Sequence, residues 1–168
     1  MDLFGESGAI ISEDQQYRYL LWRIWNNDLK KVCFIMLNPS TADANEDDPT
    51  IRRCKGFARD WGYGGFYVAN LFAYRATDPN ELFDTPDPYG PENEKYLKLL
   101  AAGESYPADI VFAWGSFPRF IPQMWEVIHM FKDPLCIDLA NQGFPRHPLY
   151  LSAALEPKLY PVEKFLKS

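Results

Sequence analysis

The sequence predicts an α/β fold: a three-layer α/β/α sandwich with a mostly parallel central sheet, preceded by an antiparallel hairpin. Two observations carry this. Apolar strand-like runs alternate with amphipathic helical segments from residue 30 to residue 140, the order expected of a parallel sheet covered on both faces. Several of these runs also stop abruptly at small or polar residues, as strands do where they leave a sheet for a functional loop. The whole chain, residues 1–168, reads as a single domain, with no internal repeat, low-complexity tract or long linker.

"YRYLLWRIW" (Tyr17 to Trp25) is rich in β-formers, and the polar "NND" follows as a turn. "KKVCFIML" (Lys30 to Leu37) is a second strand, so the two are expected to pair as a hairpin. "GAIIS" (Gly8 to Ser12) adds a strand before them, and the N-terminal hairpin region spans about 8–37. "DPTIRRCKGFARDWGY" opens with Asp and Pro, a favourable helix start. Its Ile51, Cys54, Phe57, Ala58 and Trp61 recur at helical spacing and make one apolar face. Gly62, Gly64 and Gly65 stop the helix, and "FYVANLFAY" is a buried strand ending near Asn70.

A loop rich in Pro and Asp, 76–90, leads to a helix over Pro91 to Ala102. "DIVFAWG" (Asp109 to Gly115) is the next strand, and Arg119 to Phe131 the next helix. Pro134 to Ala140 is a last strand before the polar loop from Gln142 to Ser152.

Composition narrows the function. The net charge is −6, whereas proteins that live on non-specific duplex binding are usually basic; any nucleic-acid contact needs a local basic patch. Arg52, Arg53, Lys55 and Arg59 offer one, with Arg52, Lys55 and Arg59 on one helical stripe. They would hold phosphates or pair with the acidic cluster Asp43, Glu46, Asp47 and Asp48 just before them. That cluster is read mainly as a solvated loop with Asp48 at a helix start; a metal or general-base role is the alternative. The aromatic content, 16%, points to a large aromatic core or a stacking surface. Cys33, Cys54 and Cys136 have no metal-ligand spacing and read as packed thiols. No apolar run approaches the roughly 20 residues of a membrane helix. "MDLFGESGAI" lacks the layout of a signal peptide, so a cytoplasmic protein is expected. No cofactor or metal motif is read, and oligomeric state is not legible.

The string "MLNPSTAD…DDPTIRRCKGFARDWGYGGFYVANLFAYRATDP…GPENEKYL…AWG…RHPLYL" resembles an uncharacterised bacterial, archaeal and phage family, domain of unknown function 1643. A more distant resemblance is to the uracil-DNA glycosylase superfamily. It rests on "LNPS" after a strand, with Ser40 where a branch has Gly, on "VANLFAYR" with Asn70, on "PENEKYL" and "IVFAWG", and on "RHPLY" with His147 and Pro148. This resemblance implies a glycosylase-like α/β/α sandwich and a nucleobase-handling protein acting on a flipped or modified base.

In that chemistry a base leaves a sugar as an anion and the sugar passes through an oxocarbenium-like state, which calls for a water-orienting acceptor and a donor to the base. Asn38 would hold the water through its amide oxygen, and His147 would donate to the base. Asn70 would read a base edge with its donor and acceptor. Ser40, Arg75, Arg146, Arg52 and Arg53 complete the expected substrate contacts, with nucleic acid or a nucleotide as partner. Two departures stand out: the first motif has Asn38 where the strongest uracil-removing branch has Asp, and Leu149 stands where Ser usually follows His-Pro. The competing readings are a binding module that kept the fold without catalysis, and a metal-assisted enzyme on free nucleotides through Asp43, Asp47 or Asp48.

Overall fold

A computed structural model describes residues 6–166; residues 1–5, part of the stretch read above for a leader, and 167–168 lie outside the described residues. Seven strands form one sheet: β1 (Glu6–Ile11), β2 (Arg18–Ile24), β3 (Val32–Met36), β4 (Gly65–Asn70), β5 (Asp109–Phe112), β6 (Leu135–Cys136) and β7 (Lys158–Leu159), in the spatial order β1-β2-β4-β3-β5-β6-β7. Among the described residues four α-helices accompany them: α1 (Pro49–Asp60), α2 (Asn93–Ala102), α3 (Ile121–Ile128) and α4 (Val162–Leu166). No helix among the described residues is long and apolar enough to cross a membrane.

The sheet is mixed, which corrects the expectation of a mostly parallel one. β4-β3-β5-β6 is a parallel core. The antiparallel pairs β1-β2, β2-β4 and β6-β7 flank it and hold slightly more of the paired residues. The expected hairpin between residues 17–25 and 30–37 does not form either. β2 pairs with β1 and β4, and β4 stands between β2 and β3. The reason lies in burial. Every residue of β3 is buried, as suits an internal parallel strand covered on both faces.

The link from β2 to β3 crosses the start of β4 in close contact. Trp25 and Asn26 both donate backbone N–H groups to Gly64 O at 2.9 Å, and Gly64 N–H donates to Lys30 O at 2.7 Å. A Cβ on Gly64 would stand 2.0 Å from Asn26 O, so the crossing requires glycine there.

Alternate residues of the strands feed two cores. Val32, Phe34 and Met36 pack with Ile51, Cys54, Phe57 and Ala58 of α1 on one face. Cys33, Ile35 and Leu37 pack with Leu97 and Leu100 of α2 and Met124, Val127 and Ile128 of α3 on the other. Each fully buried large side chain contributes on the order of 1.5–3 kcal/mol. The three cysteines are buried free thiols in these cores.

α1 starts where the sequence indicates, with Asp48 as its N-cap accepting from Ile51 N–H and Pro49 in its first turn. α2 begins two residues later than expected and ends on Gly103 in the left-handed conformation (φ 72°). The strand expected over Pro134 to Ala140 shortens to β6. Asp138 turns the chain there: its carbonyl accepts from Arg146 N–H and its carboxylate meets Arg146 and Lys158.

Candidate functional site

The parallel strands β3 and β5 end at one edge, and the loops that follow them enclose a cleft of about 560 Å³. Its floor holds Met36, Leu37, Ile51 and Trp114. Asn38, Ser40 and Thr41 form one wall with Ala76, Thr77 and Pro79. The first turn of α1 forms a second, and Phe117, His147, Leu149 and Tyr150 a third.

Backbone pairing beyond the strands holds these walls. Leu71 N–H donates to Met36 O, Phe72 N–H to Leu37 O and Ala76 N–H to Pro39 O, so the loops after β3 and β4 are zipped together. Asn38 locks the same junction. Its Nδ2 donates to Ala76 O at 2.8 Å and to Pro39 O at 3.1 Å. With both amide hydrogens spent on backbone, Oδ1 is the atom of Asn38 left to accept from a ligand or water. On the far wall, Gly115 N–H donates to Pro145 O at 2.8 Å, tying the end of the β5 segment to the loop that carries His147.

His147 presents a defined tautomer. Its Nδ1 accepts from Leu149 N–H at 3.2 Å, so the neutral ring carries its proton on Nε2. Burial lowers its pKa below the usual histidine value, with Asp48 opposing, which keeps the ring neutral at pH 7. A neutral imidazole with one N–H is a hydrogen-bond donor without a full charge.

Two charged groups line the cleft. Asp48 is buried, and each of its oxygens takes a backbone N–H, Oδ1 from Ile51 at 2.9 Å and Oδ2 from Ala42 at 3.4 Å. Arg18 is 2% exposed and donates Nη1 to Ala42 O at 3.0 Å. Burial pushes its guanidinium down to about 10, against the attraction of Asp48, so it stays charged at neutral pH. A register shift in the β1-β2 pairing between Ile10 and Ile11 gives β2 one extra residue beside it. Tyr19 and Leu20 both turn toward the α2 face, Tyr19 stacking on Tyr96, and Arg18 is thereby aimed at the face that carries the cleft.

The expected site residues divide. Asn38, Ser40 and His147 come together in the cleft. Arg75 stands at its edge, in an adjoining hollow that shares Ser40, Thr41, Ala76 and Thr77. Its guanidinium makes long bonds to the carbonyls of Ser40, Gln15 and Thr41.

Asn70 does not line the cleft. It is 1% exposed at the end of β4, and neither polar atom of its side chain has a partner among the described residues. Arg52, Arg53 and Arg146 are also outside. Arg53 spends its guanidinium on the carbonyls of Pro148 and Leu151, clamping α1 to the wall that carries Tyr150. Arg52 reaches Asp47 O at 3.2 Å, and Arg146 pairs with Asp138 at 3.1 Å.

Sequence reasoning passed over Arg18 and Phe117. Two arginines, Arg18 and Arg23, inside the otherwise apolar "YRYLLWRIW" were the available signal for Arg18; nothing in the sequence marks Phe117.

The acidic cluster disperses as well. Asp43 accepts from the N–H groups of Asn45 and Glu46, Asp47 pairs with Arg23 and Lys55, and Asp48 caps α1. No group of three or more His, Cys, Asp or Glu among the described residues could hold a metal ion.

No curated protein and no solved structure matches the chain. A family model described as a protein of unknown function, domain of unknown function 1643, matches residues 18–149, which include the floor and the three walls of the cleft apart from Tyr150. The chain belongs to that family.

Proposed function

We propose that the chain is a nucleobase-handling protein resembling the uracil-DNA glycosylases, and that it hydrolyses the N-glycosidic bond of a flipped-out or modified base in nucleic acid. On this reading the parallel core with helices on both faces corresponds to the glycosylase sandwich.

The supporting observation is that Asn38 and His147, from loops far apart in sequence, line one cleft with complementary free atoms. Asn38 Oδ1 accepts and would hold a water. His147 Nε2–H donates and would meet the departing base. As the bond between C1′ and the base nitrogen breaks, its electron pair leaves with the base, and the donor stabilises that charge. The water oxygen then bonds to C1′, and its proton ends on the released base. An oxocarbenium-like sugar is electrophilic enough that an amide acceptor, rather than a strong base, can orient the water.

The interior charge fits a base better than a phosphate. One cation, Arg18, faces one anion, Asp48, and the imidazole is neutral. A phosphate would meet the carboxylate that already caps α1. The phosphate of a bound nucleotide would instead lie outward, near Arg75.

Base release tests the reading: single-stranded and duplex DNA carrying uracil, mismatched thymine and modified bases, with wild type beside Asn38→Ala and His147→Ala. Release by wild type and its loss in both variants is the expected result. No release from any of them by folded protein contradicts hydrolysis.

A second reading, base binding without hydrolysis, is favoured by one observation. Asp48, the one carboxylate among the described residues that line the cleft, is fixed in place by the N–H groups of Ile51 and Ala42, and each oxygen keeps an acceptor site for a ligand N–H, an arrangement suited to holding a base.

A further inference from the structure

We propose that Arg18 is the specificity-determining residue of the cleft: its guanidinium meets a ring carbonyl oxygen of the bound base, so the site takes 4-oxo and 6-oxo bases and rejects their amino counterparts. This rests on the nucleobase reading of the cleft.

Arg18 differs from the other buried arginine on its strand. Arg23 is saturated. It pairs with Asp47 at 2.9 Å and donates to the carbonyls of Trp22 and Asp43 at 2.9 and 2.6 Å, with longer contacts to Glu46 and Gly8. It holds the 43–47 loop and does not line the cleft. Arg18 is more deeply buried, yet only Nη1 has a protein partner among the described residues, and its Nε is sealed from solvent without one. No carboxylate lies within ion-pair distance of it among the described residues, although Asp48 lines the same cleft.

A buried guanidinium with unmet donors is unfavourable in the empty protein and becomes favourable when a ligand supplies acceptors. The β-bulge beside Arg18 points it to the cleft rather than to solvent.

The chemistry of the partner follows from the side chain. A guanidinium donates from every nitrogen and accepts from none. An exocyclic carbonyl satisfies it, and an exocyclic amine presents donors to donors. Asp48, which only accepts, matches the ring N–H that stands beside such a carbonyl in a lactam. A site that offers hydrogen bonds to one group discriminates strongly against the analogue that lacks it.

The test is equilibrium binding of two matched pairs of free bases, hypoxanthine with adenine and uracil with cytosine, to wild type, Arg18→Met and Arg18→Lys. Met keeps length and burial without charge, and such replacements of buried ions are often tolerated. Circular dichroism and melting establish that each variant is folded. Wild type should bind the oxo member of each pair at least about tenfold more tightly. The ratio should fall to near one in Arg18→Met and to an intermediate value in Arg18→Lys, which keeps the charge and loses the fork. Equal affinity of wild type for both members, or an unchanged ratio in a folded variant, overturns the role of Arg18 and leaves the nucleobase reading standing. Failure of wild type to bind any of the four overturns that reading and the inference with it. Wild-type selectivity and Arg18→Lys decide the matter if Arg18→Met does not fold.

Discussion

The basic stripe on α1 and the two arginines of β2 carry the same charge and do opposite things. Arg52, Lys55 and Arg59 lie on the outside of a helix. Arg52 touches Asp47 O, Lys55 pairs with Asp47 at 3.2 Å, and Arg59 lies over the Trp25 ring. They are charges satisfied near the surface, where a single pair is worth little. Arg18 and Arg23 come from a strand, are nearly sealed from water, and reach the carbonyls of the loop that follows β3. With Arg75 on the carbonyls of Ser40 and Thr41, three arginines hold residues 40–46 from behind. The lesson is that charges dense along a helix are satisfied near the surface, whereas the buried arginines of an apolar strand divide: Arg23 is saturated by the 43–47 loop, and Arg18 keeps an unmet donor at the cleft.

The sharpest way to break this comparison is Arg23→Ala. It removes one partner of an ion pair whose arginine side chain is 7% exposed and frees two loop carbonyls. Stability should fall by about 3 kcal/mol, read as the urea midpoint at constant m-value. An effect below about 0.5 kcal/mol would put β2 on a level with the surface stripe.

Next is Asp48→Ala, which deletes the N-cap of α1 and the acceptor of Ala42 N–H. A loss of about 1–2 kcal/mol is expected, with Asp48→Asn recovering most of it in thermal melts.

His147 sharpens the comparison through pH. Because burial holds its folded pKa below the unfolded value of 6.5, the unfolded state takes up the proton first as pH falls. Its stabilising contribution is present above about pH 6.5 and is lost as pH falls through the folded value. Protonation at Nδ1 also forfeits the bond from Leu149 N–H. Melting temperature should therefore drop between pH 7 and pH 5, and His147→Gln should flatten that slope; an equal slope in the variant would contradict a depressed pKa.

The smallest effects belong to α1. Arg52→Ala and Arg59→Ala should each change stability by no more than about 0.5 kcal/mol and leave base affinity unaltered.

How much of this was legible follows the same division. α1 was fixed locally, by Asp48, Pro49 and an apolar period of three and four, and the structure has it there. The strands were legible as apolar runs, but their partners were not. Nothing within residues 17–37 says that β4 will enter between β2 and β3, because that choice is made by two-sided burial of β3 and by the room Gly64 leaves for Asn26. β7 and α4 escaped notice because a two-residue strand and a five-residue helix are too short to show a period.

In the site, Asn38, Ser40 and His147 followed strand ends or loops and were found from motifs. Arg18 was hidden because its orientation depends on a bulge whose register involves β1. Asn70 was chosen for its amide, but its place in β4 keeps it out of the cleft lining.

The central claim is that the cleft between Asn38 and His147 binds a nucleobase. Nitrogen-15 NMR of the histidine rings tests it most directly, recorded at pH 7 with and without saturating uridine or inosine. The account predicts a neutral His147 protonated on Nε2, with a clear shift of that N–H on adding nucleoside, a shift weakened in Asn38→Ala, and no change at His129, the second histidine of the sequence, which caps the C-terminus of α3 and does not line the cleft. A His147 ring that carries its proton on Nδ1, or one indifferent to every nucleoside added, would contradict it.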